Sequence, residues 1–391
     1  MSVILHAVSS YPDPIAPATS ASSLLLALCT DDMIHNVYSF KRAGWRGGPA
    51  CVIFDDDAGT EHRAIAYGAP PKGIALARHL DRLADWIIAD TEKRGLQPDI
   101  VHGHKISLDG YVGARLATHF KVPLMLSIQS NTDAKILKVR RDLIPHFRDI
   151  WRNTAMVFPF TPVAYDTIAK LLGPRDGPQT VLPCPTRADT ITAPTTRPDG
   201  AGPVILTAFH LAHFGNKNIK TLLEGLAIAA KDIPDISLQI VGGGDASAFL
   251  AVTEMAKNLA PGRVTLLGAR PSTEMQSLMN SATAFALISH RESYGMVYAE
   301  ALLAGTPCLY SAGRAIGGLF DNGGFAVGVN PSDAAAVAAA LVRFCREENN
   351  VKAQLATAQN SGGLKILRQD QIARTYQTSV AQALNSPAFA V

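Results

Sequence analysis

Two rhythms of apolar and polar residues alternate along the chain. Short continuous apolar runs bounded by turn residues read as buried strands, and longer segments with apolar residues three and four apart read as amphipathic helices. In the first half the predicted strands are SVILHAV (2–8), ACVIFDD (50–56), DIVHGH (99–104) and PLMLSIQS (123–130). Helical spacing is read over 21–44, 73–95 and 109–120. PTTRPDGAGP (194–203), rich in proline, glycine and threonine, is the candidate linker. The second half repeats the alternation: predicted strands at 203–209, 236–244, 263–268, 283–289, 307–311 and 325–329 are separated by helices at 218–232, 247–260 and 272–281, with another at 331–348. In that last helix Ser332 and Asp333 are placed to cap the first turn.

Strands alternating with helices predict an α/β protein of two doubly wound, Rossmann-like domains with mainly parallel sheets. The boundaries read from the sequence are 1–195 and 196–371, with a helix at about 372–391 packing back on the first domain. Length agrees, since 391 residues suit two cores better than one. A content of 47% hydrophobic and 18% charged residues fits sheets covered on both faces.

Composition also narrows the function classes. The formal net charge of +3 is too small to imply a nucleic-acid partner. Cys29, Cys51, Cys184, Cys308 and Cys345 show no metal-ligand spacing, so free thiols in a reducing cytoplasm are expected. No apolar run approaches the ~20 residues that span a bilayer. MSVILHAVSSYPDP (1–14) reads as a first strand rather than a leader.

Candidate chemistry collects after predicted strands, where doubly wound sheets bind ligands. HLAHFGNKNIK (210–220) places His210, His213 and Lys217 where an anion would bind, with a solvated loop as the plain alternative. VGGGD (241–245) lets backbone approach a ligand, although such a turn is weak evidence alone. SHRESYGMVYAEALLAGTP (289–307) is more specific. Its helix begins near Tyr294, Gly295 and Met296, whose N–H groups suit a phosphate. Glu292 lies in the preceding loop and Glu300 in the helix. Carboxylates beside an anion site make sense when their targets are hydroxyls, as in sugar and ribose rings. Taken alone, Glu300 reads better as a surface helix residue paired with a base.

Together these segments resemble the retaining, GT-B-fold glycosyltransferases of family 4, of the group 1 type. The resemblance runs through VILTAFHLAHFGNKNIKTLLEGLAIA, LQIVGGGD, RVTLLG and MNSATAFALISHRESYGMVYAEALLAGTPCLYS. It implies two domains facing each other across a cleft, the first binding acceptor and the second a nucleotide sugar. By this resemblance Glu292 contacts hydroxyls of the donor sugar and Glu300 the ribose. The segment Ser293, Tyr294, Gly295 and Met296 holds the diphosphate with Lys217, assisted by His210. Gly243 and residues 268–271 lie near the nucleobase. In the first half, DIVHGH resembles the family's D-x-x-H-x-H, so His102 and His104 become candidate catalytic residues with Glu292 and Lys217.

Three departures stand out. Phe209-His210 replaces the usual Gly-Arg, the loop SSYPDPIAPATSAS (9–22) lacks the usual glycines, and Gln129 replaces a histidine that contacts the donor sugar.

The expected function is metal-independent, cofactor-free transfer of a hexosyl unit from a UDP- or GDP-sugar to an acceptor hydroxyl, in polysaccharide or glycolipid assembly. A sugar-nucleotide epimerase or hydrolase and a non-catalytic sugar-binding partner are the alternatives. The acceptor is expected to be a saccharide or lipid-linked. The basic amphipathic stretch 134–153, broken at Pro145, is either a core helix with a solvated basic face or a contact with the inner face of the plasma membrane.

Overall fold

The computed structural model describes residues 1–15, 21–45, 47–56, 59–198 and 200–390. In chain order its elements begin with β1 (Ser2–Val8), α1 (Ala21–Leu28), β2 (Met33–Arg42), β3 (Ala50–Asp55), β4 (Glu61–Tyr67), α2 (Leu76–Lys93), β5 (Ile100–Gly103) and α3 (Leu108–Phe120). Then come β6 (Leu124–Ile128), α4 (Asn131–Val139), α5 (Ile144–Asn153), β7 (Met156–Pro159) and α6 (Pro162–Leu172). The second half supplies β8 (Val204–Ala208), α7 (Phe214–Lys217), α8 (Ile219–Ala229), β9 (Ser237–Val241), α9 (Ala246–Leu259), β10 (Val264–Gly268), α10 (Ser272–Ser281) and β11 (Ala284–Leu287). It continues with α11 (Met296–Leu303), β12 (Cys308–Ser311), β13 (Ala326–Val329), α12 (Ala334–Arg346), α13 (Glu348–Asn360) and α14 (Gln369–Leu384).

The chain forms two compact units, Met1–Pro185 with Gln369–Val391, and Thr186–Arg368. The division falls before the proline-rich stretch. Residues 192–197 are already fastened to the second unit: Thr192 N–H donates to Leu303 O, Lys352 Nζ to Thr195 O, and Arg197 pairs with Glu348.

In the first unit seven strands run in the order β3-β4-β2-β1-β5-β6-β7. All pairings are parallel except that of β3 with β4. One face, carrying Leu5, Ala7, Tyr38, Phe40 and Val101, packs under α2 and α3. The other carries Ile4, Ile100, Met125 and Phe158 and is covered by α1 and α14, the latter through Ile372, Tyr376, Val380 and Ala383. In α2, Leu76, Leu80, Leu83, Ala84 and Ile87 recur at helical spacing on the buried stripe.

One expectation needs correction here. Residues 21–44 are not one helix: α1 stops at Leu28, and MIHNVYSFKR is the inner strand β2. Strand pairing on both sides rewards its β-branched and aromatic residues more than local helical spacing does. ACVIFDD forms an antiparallel edge strand, so the first sheet is mixed. The stretch 134–153 is divided between α4 and α5, and Pro145 falls in the first turn of α5, where no N–H is needed.

The second unit orders its six parallel strands β10-β9-β8-β11-β12-β13. Chain order departs from β8 in one direction and from β11 in the other, leaving a topological switch point between them. Side chains cap the helices where the pattern demands it. Thr161 accepts from Ala164 N–H, Asp245 from Ala248 N–H and Asp333 from Ala336 N–H.

Candidate active site

The switch point brings the loops after β8 and β11 together, and side-chain amides stitch them. Asn218, in the left-handed region at φ 56°, donates from Nδ2 to Ile288 O (3.1 Å) and Pro331 O (2.6 Å). Asn216 Nδ2 donates to Arg291 O (3.1 Å), while His290 N–H donates to Asn216 O (2.8 Å). The reach of Lys217 is thereby set: its Nζ lies 2.6 Å from Glu292 Oε2. Both side chains are largely covered, at 20% and 16% exposure, so the pair is less screened than a surface ion pair.

Gly295 occupies the N-cap of α11 with φ 75°. A Cβ there would lie 2.5 Å from the Tyr298 ring and 3.1 Å from Glu292 Cγ, so glycine is required by backbone and space alike. Tyr298 is fully buried and its hydroxyl donates to Leu287 O, tying α11 to the end of β11. Ser293 and Tyr294 lie in the loop, and Met296 begins the helix. Glu300 is half-buried in the second turn. Burial raises its pKa, and the nearby Arg187 guanidinium offsets that only in part.

The glycine turn after β9 packs against the loop after β8. A Cβ on Gly242 would collide with Phe209 O, and one on Gly244 would crowd Leu211 Cβ at 2.8 Å. Gly243 would meet only Ala269 Cβ at an ordinary 3.6 Å, and its carbonyl accepts from Leu211 N–H at 2.7 Å. His210 and His213 are exposed, with ring centroids 5.6 Å apart.

The first unit has its own switch point, between β1 and β5. His104 follows β5 there, and Gln129 Nε2 donates to His104 O at 2.9 Å. His102 and His104 are buried, with stacked rings whose centroids are 4.1 Å apart. His102 Nε2 bonds Ser127 Oγ and its Nδ1 bonds Tyr376 OH, each at 3.0 Å. His6 and His35 extend this group: His6 Nδ1 is 3.0 Å from His104 Nε2, and His6 Nε2 is 2.9 Å from His35 Nδ1. Sequence reasoning missed both. The available signal was period 2, since His6 shares a strand face with Ile4 and Val8. His35 was hidden by the helical reading of its segment. Residues 16–20 of the glycine-free loop after β1 lie outside the described residues.

Two switch-point sheets of this kind define the GT-B fold, and known proteins agree. Sucrose-phosphate synthase from Thermosynechococcus elongatus superposes with a TM-score of 0.70 at 20% identity, covering 97% of this chain and 98% of that one. HepE of Anabaena, solved in complex with UDP-glucose, gives a TM-score of 0.63 at 15% identity over 97% of this chain and 99% of its own. In sequence, the glycogen synthase of Mycobacterium tuberculosis is 26% identical over 255 residues, 63% of this chain and 60% of that protein. The chain thus spans about three-fifths of the length of that relative. Residues 199–361, within the second unit, match the family model described as glycosyl transferases group 1.

Proposed function

We propose that the protein transfers a hexosyl unit from a nucleoside diphosphate sugar to an acceptor hydroxyl, with retention at the anomeric carbon. The observation that carries this reading is the grouping at the second switch point. A covered cation, Lys217, pairs with the carboxylate of Glu292 beside the N-terminus of α11, which carries Glu300 one turn on. In this reading a diphosphate competes for Lys217 and sits against the backbone of 293–296, with His210 adding charge when protonated. Glu292, released from its partner, accepts from sugar hydroxyls, and Glu300 accepts from the ribose. Gly243 lies on the base side. Within the first unit, His102 and His104 are the catalytic candidates of this reading and Gln129 a donor-binding one.

Transition-state stabilisation then falls on the leaving diphosphate, where preorganised N–H groups and Lys217 meet developing charge. Neither glutamate acts as nucleophile. A divalent metal is not required, so activity should survive EDTA, and loss restored by magnesium would overturn that part. The acceptor is a saccharide or lipid-linked molecule, and the setting is cytoplasmic polysaccharide or glycolipid assembly.

No helix among the described residues is long and apolar enough to cross a membrane. Leu137, Phe147, Ile150 and Trp151 are buried in the core. Contact between 134–153 and an anionic lipid surface would therefore be electrostatic, through exposed Lys135, Lys138, Arg141 and Arg152. Binding to vesicles containing phosphatidylserine should then vanish at high salt.

The decisive experiment incubates the protein with UDP- and GDP-sugars and follows diphosphate release with and without cell-extract acceptors. Release that depends on acceptor, and is lost in Lys217→Ala and Glu292→Gln, supports the proposal. Donor conversion without acceptor would identify an epimerase or hydrolase instead.

A further inference from the structure

Four histidines lie beneath α1 and α14 on one face of the first sheet. In parallel register His6 stands beside His102, and His35 beside Ile4, two residues earlier on β1. His104 follows His102 on the same face. Their bonds form a directed chain. His35 Nε2 lies 2.6 Å from the carbonyl oxygen of Cys29, which can only accept. His35 therefore carries its proton on Nε2, leaving Nδ1 bare to accept from His6 Nε2–H at 2.9 Å. His6 Nδ1 is bare in turn and accepts from His104 Nε2–H at 3.0 Å. The chain ends at His104 Nδ1, for which no hydrogen-bond partner exists among the described residues.

The argument requires neutral rings. Burial lowers His6, His35 and His104 below the ordinary imidazole value, with repulsion from neighbouring charges adding to it at His6 and His104, and the Cys29 carbonyl and Asp56 offsetting it in part at His35. His102 stands outside the chain, held by Ser127 and Tyr376, and its ring stacks on His104.

We propose that this imidazole chain, anchored on the Cys29 carbonyl, locks His104 in the Nε2–H tautomer and makes its Nδ1 an obligate acceptor for a substrate hydroxyl. His6 and His35 are then positioning residues, acting through His104 without touching substrate. The hydroxyl half of the inference rests on the transferase reading above, whereas the tautomer half stands on the chain alone. A competing use of the same atoms is a metal centre, because His6, His102 and His104 offer ligand nitrogens within 4.8 Å of one another. A cation on His104 Nε2 would require the opposite tautomer, with the proton on Nδ1.

The test reads tautomers directly, by long-range proton–nitrogen correlation on protein labelled with ¹⁵N-histidine. His104→Gln and His6→Gln spectra supply the assignments. The expected result is Nε2–H at His6, His35 and His104. Observation of Nδ1–H at His104, or its appearance on adding stoichiometric Zn²⁺, overturns the chain. Two variants at His35 then separate polarity from bulk. In His35→Gln the amide can donate to Cys29 O and accept from His6, so the His104 signature and the release of UDP from UDP-glucose should be retained. In His35→Leu the direction is lost, His104 should show mixed tautomers, and release should fall about tenfold, as for loss of one good hydrogen bond. Circular dichroism checks that both variants fold. Equal behaviour of the Leu and Gln variants counts against the chain. Wild-type protein inert toward UDP-glucose and GDP-mannose would remove the hydroxyl role, with the tautomer still decided by the spectrum.

Discussion

Gly295 and Glu300 belong to one eight-residue helix and its cap, yet they fail differently when replaced. Gly295→Ala meets both a positive φ and the Tyr298 ring, so the second unit should lose more than about 1 kcal/mol of stability, measured by urea denaturation. Glu300→Ala should leave the fold intact and weaken UDP binding at least about tenfold in calorimetry. Burial raises the pKa of Glu300, and ribose hydroxyls would donate more strongly to its ionised form than to the neutral acid. UDP affinity should therefore fall as pH drops through that raised value, and pH-independent affinity would argue against the contact.

His104 carries a second pH effect, on stability. Its pKa is lowered from 6.5 to about 3 by burial, with Lys105 and His35 adding repulsion. Between those values the unfolded chain holds a proton that the folded chain does not, so stability falls as pH is lowered. At pH 5 the contribution lost is about 2 kcal/mol. Asp109 acts in the opposite sense, because burial raises it to about 6. Comparing His104→Gln with wild type isolates the histidine: between pH 7 and pH 5 the variant should lose about 2 kcal/mol less. Glu292 and Glu300 could be singled out from sequence because they share one short segment, and Lys217 because it lies in a polar loop directly after a predicted strand. The His6–His35 extension could not, since it is assembled by strand register across separate segments.

Elements were legible where local signals agreed. Asp333 announced the start of α12, and Asp333→Ala should cost about 1 kcal/mol in thermal or urea unfolding of the second unit. Every strand of the second sheet was marked by a short apolar run ending in a turn. The segment 21–44 carried the opposite lesson. Leu24, Leu25 and Leu26 begin a genuine helix, and the apolar spacing continues through Ile34, Val37, Tyr38 and Phe40. Only pairing of β2 with β1 and β4 decides that the later residues are a strand. Tertiary partners, invisible to local spacing, make that choice.

At the scale of the molecule, all three tryptophans, Trp45, Trp86 and Trp151, lie in the first unit. Tryptophan fluorescence should thus follow that unit alone, while circular dichroism follows both. Where the two denaturation curves separate, the units unfold independently. Removing 369–391 strips Ile372, Tyr376, Val380 and Ala383 from the sheet face over Ile4 and Ile100. At about 25 cal/mol per Å² such a loss amounts to several kcal/mol. The truncated chain should bind a hydrophobic dye, and its tryptophans should report an unfolded or loosened first unit.

Because α14 follows the second unit in the chain, order of synthesis differs from order in space. On the ribosome, residues 1–185 emerge first but must wait for all of Thr186–Arg368 before Tyr376 can reach His102. The intervening unit is continuous and can complete its own core during that interval. A nascent chain should therefore complete its second unit before its histidine face is sealed. A product terminated between the two would hold a completed second unit without a finished first one.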